Sequence, residues 1–193
     1  PAKFRLHSKL FRPAQVGEIT GIAPGAQRDL QRRGYRFGNE TDGWLNASVH
    51  DIARLLLVKT LRDAGIELAE AWKKAGPEIV GNIVYYALRE PHAIDLRTDA
   101  KAALERNKSI ILRWAMDFAA SETQDGKHVG GGDYFIFGPT LPSNQYASIE
   151  DAISEGERES KGPHLVMHVV ALRELSKLLV ERAGQIAYVE KVA

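Results

Sequence analysis

Proline and glycine punctuate the first third of the chain so tightly that only short helices fit between them. Pro13 opens one apolar-patterned segment that Gly21 closes, and Pro24 opens a second that Gly34 closes. Proline suits the first turn of a helix, where its missing N–H would have no partner. Glycine accepts the left-handed conformation that commonly ends a helix. The pattern predicts a helix from Pro13 with Val16 and Ile19 facing inward, a turn at Gly21, and a second helix over 24–33. Over 35–45 the turn formers Gly38, Asn39, Asp42 and Gly43 predict a small hairpin-like wing, anchored by Tyr35, Phe37, Trp44 and Leu45. Ser48 suits the N-cap of a longer helix carrying Ile52, Leu55, Leu56 and Val58, which Gly65 ends. Further helices are predicted from Glu67 to Lys74 and from Pro77 to Glu90, separated by Gly76 and Pro77.

Charge is concentrated in the same region. The net charge of the whole chain is only +1, so affinity for a polyanion must come from local clustering. Through residue 36 the chain has Lys3, Arg5, Lys9, Arg12, Arg28, Arg32, Arg33 and Arg36 against the acids Glu18 and Asp29. On the second helix Gln27, Arg28, Gln31 and Arg32 share a face at i, i+1, i+4 and i+5. Leu30 lies off that face and is expected to anchor the helix to Val16, Ile19 and Ile22. Glutamine pairs with adenine edges and arginine with guanine edges in a DNA major groove. Arg33, Arg36 and Thr41 are better placed for phosphates or a groove beside the wing, and Arg12 extends the footprint with Lys3, Arg5 and Lys9. A short cationic helix set at an angle by a preceding helix has the shape a major groove accepts.

The order and spacing of these elements resemble the DNA-binding domain of the MerR family of transcription regulators. The residues that carry the resemblance are Gly21-Ile22, Pro24, Arg28, Arg32, Gly34, Asp51-Ile52, Leu55, Leu61, Gly65 and Glu70. They span about a third of the chain. The resemblance implies a winged helix-turn-helix whose second helix enters the groove. Asp29 and Leu30 stand where the family usually has an aromatic pair, and Trp44-Leu45-Asn46 where it has an arginine and a tyrosine after the wing.

Past residue 76 the pattern changes. Ile110, Leu112, Trp114, Met116 and Phe118 alternate with Arg113 and Asp117 and predict a half-buried strand. Strands are also expected at Tyr134 to Phe137, Leu165 to Val170 and Ile186 to Val189, with a helix from Leu172 to Ala183. The first twelve residues lack a clear pattern and are expected to form a basic arm. Other constellations point less sharply to chemistry. His164 and His168 have the i, i+4 spacing of a zinc pair on a helix, but no third ligand is near. Asp117, Glu122, Asp125, His128 and Asp133 gather around Gly130-Gly131-Gly132, where polar loop residues are ordinary. Trp114, Met116, Tyr134, Phe135 and Phe137 fit either an effector pocket or a sheet core.

With 193 residues and 44% hydrophobic content the chain can bury one good core or two small ones. The expected fold class is α+β: a winged helix-turn-helix DNA-binding domain over 1–76, then a small α+β domain over 77–193. The expected function is sequence-specific transcription regulation through double-stranded DNA. A homodimer is expected, because two half-sites multiply affinity and specificity. The second domain is expected to serve dimerisation, a small effector or a protein partner. No cofactor, metal or catalytic residue is expected. The alternative is a protein-interaction adaptor that keeps the winged fold without binding DNA. The chain has no cysteine, no apolar run of membrane-spanning length and no visible leader, so a cytoplasmic protein is expected.

Overall fold

The computed structural model describes residues 3–41, 44–96, 108–120, 132–138, 143–159 and 167–192. Helix α1 (Pro13–Thr20) begins on Pro13, and the Gln15 side chain accepts from the Arg12 N–H at 3.0 Å. Gly21 ends it with φ 76°, in the left-handed region that favours glycine. Helix α2 (Pro24–Arg32) follows after a short turn. Strands β2 (Asn39–Thr41) and β3 (Trp44–Asn46) then form an antiparallel hairpin, with Thr41 opposite Trp44. Gly38, at its base, has φ +67°, and a Cβ there would stand 2.8 Å from the Asn46 carbonyl oxygen. The close approach of the two strands therefore requires glycine at that position.

Helix α3 (Val49–Asp63) runs through the middle of the molecule. Ser48 and Asp51 cap it reciprocally, Asp51 N–H donating to Ser48 Oγ at 3.2 Å and Ser48 N–H to Asp51 Oδ2 at 2.8 Å. Reciprocal capping satisfies two otherwise orphaned donors. Its apolar residues Ile52, Ala53, Leu55, Leu56, Leu57, Val58 and Leu61 are all buried, because helices cover it on several sides. Helix α4 (Leu68–Lys74) and the almost wholly buried α5 (Pro77–Arg89) pack against it.

The later elements return to this bundle. They are β4 (Ile94–Asp95), α6 (Lys108–Ala119), β5 (Tyr134–Phe137), β6 (Asn144–Tyr146), α7 (Ile149–Glu159), β7 (His168–Ala171), α8 (Leu172–Ala183) and β8 (Ala187–Val192). Helix α8 packs against α1, α3 and α5. Strands β6, β5 and β7 form an antiparallel sheet with β5 in the middle. Phe135 and Phe137 turn one face of that sheet toward the main core, while Ile136, Tyr146 and Ala152 form a small cluster on the other face, beneath α7. The fold is mixed α+β. The boundary expected at residue 76 falls between α4 and α5, and the buried core is continuous across it, from Val16 to Val189.

Two expected elements are corrected. The residues read as a basic arm contain β1 (Lys3–Ser8), which pairs antiparallel with β8, Leu6 opposite Val189 and Arg5 opposite Glu190. Its partner lies at the far end of the chain, so nothing local announces the strand. The residues from Ile110 to Phe118, read as a strand, belong to helix α6. Its buried positions Ala115 and Ala119 and half-buried Phe118 are spaced i, i+3 and i+4, while Arg113, Met116 and Asp117 face solvent. That is helical spacing, and alternation over a short apolar run does not separate it from a strand. Met116 is exposed on α6 and is not part of the core among the described residues. The Trp114 side chain and residues 165 and 166 lie outside the described residues; the expected strand there is observed as β7.

A polar clamp joins three elements of this core. The Tyr86 hydroxyl donates to Asp133 Oδ1 at 2.9 Å, and Arg173 Nε donates to the same oxygen at 2.8 Å. The Leu172 N–H donates to the Asp133 carbonyl at 2.8 Å. Burial, and then the hydrogen bond to the Asp133 carboxylate, push the Tyr86 phenol above its ordinary value of 10.0. A raised folded-state value means that the stabilisation is complete below the unfolded value and is lost as pH rises through the folded one. Urea denaturation followed from neutral to strongly alkaline pH is therefore expected to show stability falling beyond about pH 10. Tyr86→Phe is expected to lower stability at neutral pH and to make the alkaline fall shallower.

Candidate nucleic-acid interface

Helix α2 is strongly two-sided. Leu30 is buried in the same core as Val16, Ile19 and Ile22, and Pro24, Gly25, Ala26, Arg28, Asp29, Arg32 and Arg33 are exposed. No side chain caps its N-terminal end, and a Cβ added at Gly25 would meet nothing within 4 Å. Small residues around an uncapped first turn let a large polyanion come close to the N–H groups that have no partner inside the helix.

Gln27 corrects the expected base-reading face. Its side chain is buried, only 1% exposed. Nε2 donates to the Pro13 carbonyl at 2.9 Å and to the Ile22 carbonyl at 2.7 Å. One amide thus ties the start of α1 and the inter-helix turn to the first turns of α2. Gln27 and Arg28 are adjacent in sequence, and about 100° of helical rotation separates them, enough to put one inside and the other outside. Gln31 lies at the border: half-buried, its Nε2 donates to the Phe37 carbonyl at 3.2 Å. Arg28 and Arg32 remain on the outer face, one turn apart. Arg32 Nη1 lies 3.2 Å from Asp29 Oδ1.

Beyond α2 the chain alternates between inward rings and outward cations. The Tyr35 and Phe37 rings lie 5.1 and 6.4 Å from that of Trp72 in α4. The Arg54 guanidinium of α3 sits 4.3 Å above the same indole. Arg33 and Arg36 are left exposed. Arg12, also exposed, is brought to the hairpin by a β-bridge between Phe11 and Ala47, with both N–H to carbonyl bonds at 2.9 Å. Thr41 is in β2, and its side chain lies outside the described residues.

Sequence reasoning missed two supports of this surface. Arg182, in the last turn of α8, donates from Nη1 to the Ile19 carbonyl at 2.9 Å, filling one of the acceptors that the end of α1 leaves open. Its basic character near a helix C-terminus was visible, but its partner 163 residues away was not. Trp72 was legible only as an aromatic in a short helix.

The rival constellations are dispersed. His168 stacks on Phe137 at 4.9 Å in β7. Asp117 is exposed on α6, and Asp133 serves the Tyr86 clamp. His164, Glu122, Asp125, His128, Gly130 and Gly131 lie outside the described residues. Among the described residues no group of three His, Cys, Asp or Glu is arranged to hold a metal ion, and no helix is long and apolar enough to cross a membrane. Of the aromatics considered for an effector pocket, Phe135 lines an open cleft of about 820 Å³ between α4 and the start of α5, with Glu70, Lys73, Lys74 and Glu78 around it. No family model, curated protein or solved structure matches the chain.

Gln27→Ala removes both donors that span the inter-helix turn and leaves two carbonyls without them. Loss of buried hydrogen bonds of this kind costs roughly 1–3 kcal/mol. Chemical denaturation should register that loss, and amide exchange over residues 21–28 should accelerate more than in α5. Unchanged exchange in that stretch would mean that Gln27 does not hold the turn.

Proposed function

We propose that the chain is a sequence-specific duplex-DNA-binding transcription regulator, with α2 in the major groove and the β2–β3 hairpin acting as a wing against the backbone. The observation that carries this reading is the segregation of charge on and after α2. Arg28, Arg32, Arg33 and Arg36 are all exposed, while Gln27, Leu30 and Phe37, in the same stretch, are buried and Tyr35 is half-buried. A single α-helix presenting cations beside small, close-packing residues fits the width of a major groove. The resemblance of residues Gly21 to Glu70 to MerR-family DNA-binding domains supports the same reading.

Within it, Arg28 and Arg32 read base edges. Arg33, Arg36 and Arg12 hold phosphates, and such contacts position a protein without specifying sequence. Gln27 is a structural residue and leaves the contact set. A second copy of the chain doubles the number of readable base pairs, and the part of the chain after α4 supplies the contacts for dimerisation, an effector or another protein.

Fluorescence anisotropy with labelled duplexes at several salt concentrations tests this assignment. Arg28→Ala and Arg32→Ala should each weaken binding to a preferred duplex by about 1–3 kcal/mol and relax its sequence preference. Arg33→Ala and Arg36→Ala should weaken binding to all duplexes alike. Each should also lower the steepness of log K against log salt by about one. Wild-type affinity in both the Arg28 and Arg32 variants would remove α2 from the groove.

A further inference from the structure

Three observations on α2 narrow what kind of DNA sequence it reads. Gln27 Nε2 is committed to the carbonyls of Pro13 and Ile22 at 2.9 and 2.7 Å. Gln31 Nε2 donates to the Phe37 carbonyl at 3.2 Å. The two amides able to pair with both the N6 donor and the N7 acceptor of adenine are therefore drawn away from the outer face. The long polar side chains left there are Arg28 and Arg32, and a guanidinium presents only donors, which match the paired acceptors O6 and N7 of guanine.

The third observation concerns Asp29, the exposed acid on that surface. Its Oδ1 takes a hydrogen bond from Arg32 Nη1 at 3.2 Å, one turn along the same helix. Both side chains are open to water, so the pair adds little to the stability of the fold. Its effect belongs to binding. A free arginine has many rotamers and can serve any phosphate within reach, whereas one braced by a carboxylate presents its remaining N–H groups in a set direction. Holding the fork in place before binding lowers the entropy lost on docking. The same carboxylate repels phosphates, so it penalises every complex in which Arg32 abandons the brace for the backbone. Discrimination is gained through a repulsive element as much as an attractive one.

We infer that the α2 face is selective for guanine-containing major-groove edges, and that Asp29 is the specificity-determining residue, acting by bracing Arg32. This rests on the reading of α2 as a groove-binding helix. Arg28 and Arg32 are four residues apart, about 6 Å along the axis at 1.5 Å per residue. Stacked base pairs are about 3.4 Å apart, so the two guanines lie within two base pairs of each other, nearer the more steeply the helix is inclined to the DNA axis.

Selection of duplexes from a randomised pool by the full chain, followed by titration of a selected and a scrambled duplex, tests this directly. Wild-type protein is expected to enrich two guanines at that spacing. Asp29→Ala is expected to tighten binding to the scrambled duplex while reducing the selected-to-scrambled ratio by about tenfold. Asp29→Glu, which keeps a carboxylate one turn from Arg32, is expected to restore most of the ratio. A merely structural role for Asp29 would weaken both duplexes together. Enrichment of A·T pairs, binding to all duplexes without preference, or an unchanged ratio in Asp29→Ala would each overturn the inference while leaving DNA binding standing. No binding to any duplex at low salt would overturn the DNA reading itself, and this inference with it.

Discussion

The amide of Gln27 sets the angle between the first two helices, and the candidate surface depends on that angle. A nine-residue helix such as α2 buries little and is marginal alone, since helices this short are held by tertiary contacts. Leu30 supplies apolar attachment to the bundle, but an apolar contact is not directional. The two hydrogen bonds from Gln27 Nε2, to a carbonyl at the start of α1 and to another in the turn, are directional. They convert two short helices into one unit with a fixed outer face.

That unit is held from behind by the rest of the chain. The buried helix α3 supplies an apolar wall, and Trp72 in α4, covered by Arg54, receives the rings of Tyr35 and Phe37. From the other end of the sequence, α8 brings Arg182 to the last turn of α1. The first turn of the same helix meets Asp133, just ahead of β5, where the clamp with Tyr86 ties in α5. A continuous core therefore supports the cationic surface, and the outward arginines carry little structural duty. Residues free of packing constraints can be chosen for a partner.

Much of the N-terminal organisation was legible because its signals are local. Pro13, Gly21, Pro24, Ser48 and Gly65 mark helix ends through backbone conformation and capping, which need no knowledge of the remaining chain. Gly38 and its neighbours announced the hairpin for the same reason. The failures lie where a distant partner decides. Lys3 to Ser8 becomes a strand only because Ala187 to Val192 lies beside it. Residues 110–118 satisfied a two-residue period and a helical one equally, and packing selected the helix. Gln27 was placed outside because polar residues are usually exposed. Two backbone carbonyls with unfilled acceptor capacity drew it inward. The same locality limits the candidate site: the cluster of arginines was visible, but which neighbours are braced and which are buried is decided by contacts within α2 and with α1, the turn and the segment after α2.

The central claim is that the exposed arginine face of α2 meets duplex DNA. Hydrogen–deuterium exchange of the full chain with and without a mixed-sequence duplex at low salt tests it most directly. Slower exchange is expected across residues 24–36 and at the hairpin over 39–46, with no change along the acidic helix α7. Unchanged exchange over 24–36 under saturating duplex, or protection confined to α7 or the β6–β5–β7 sheet, would contradict it.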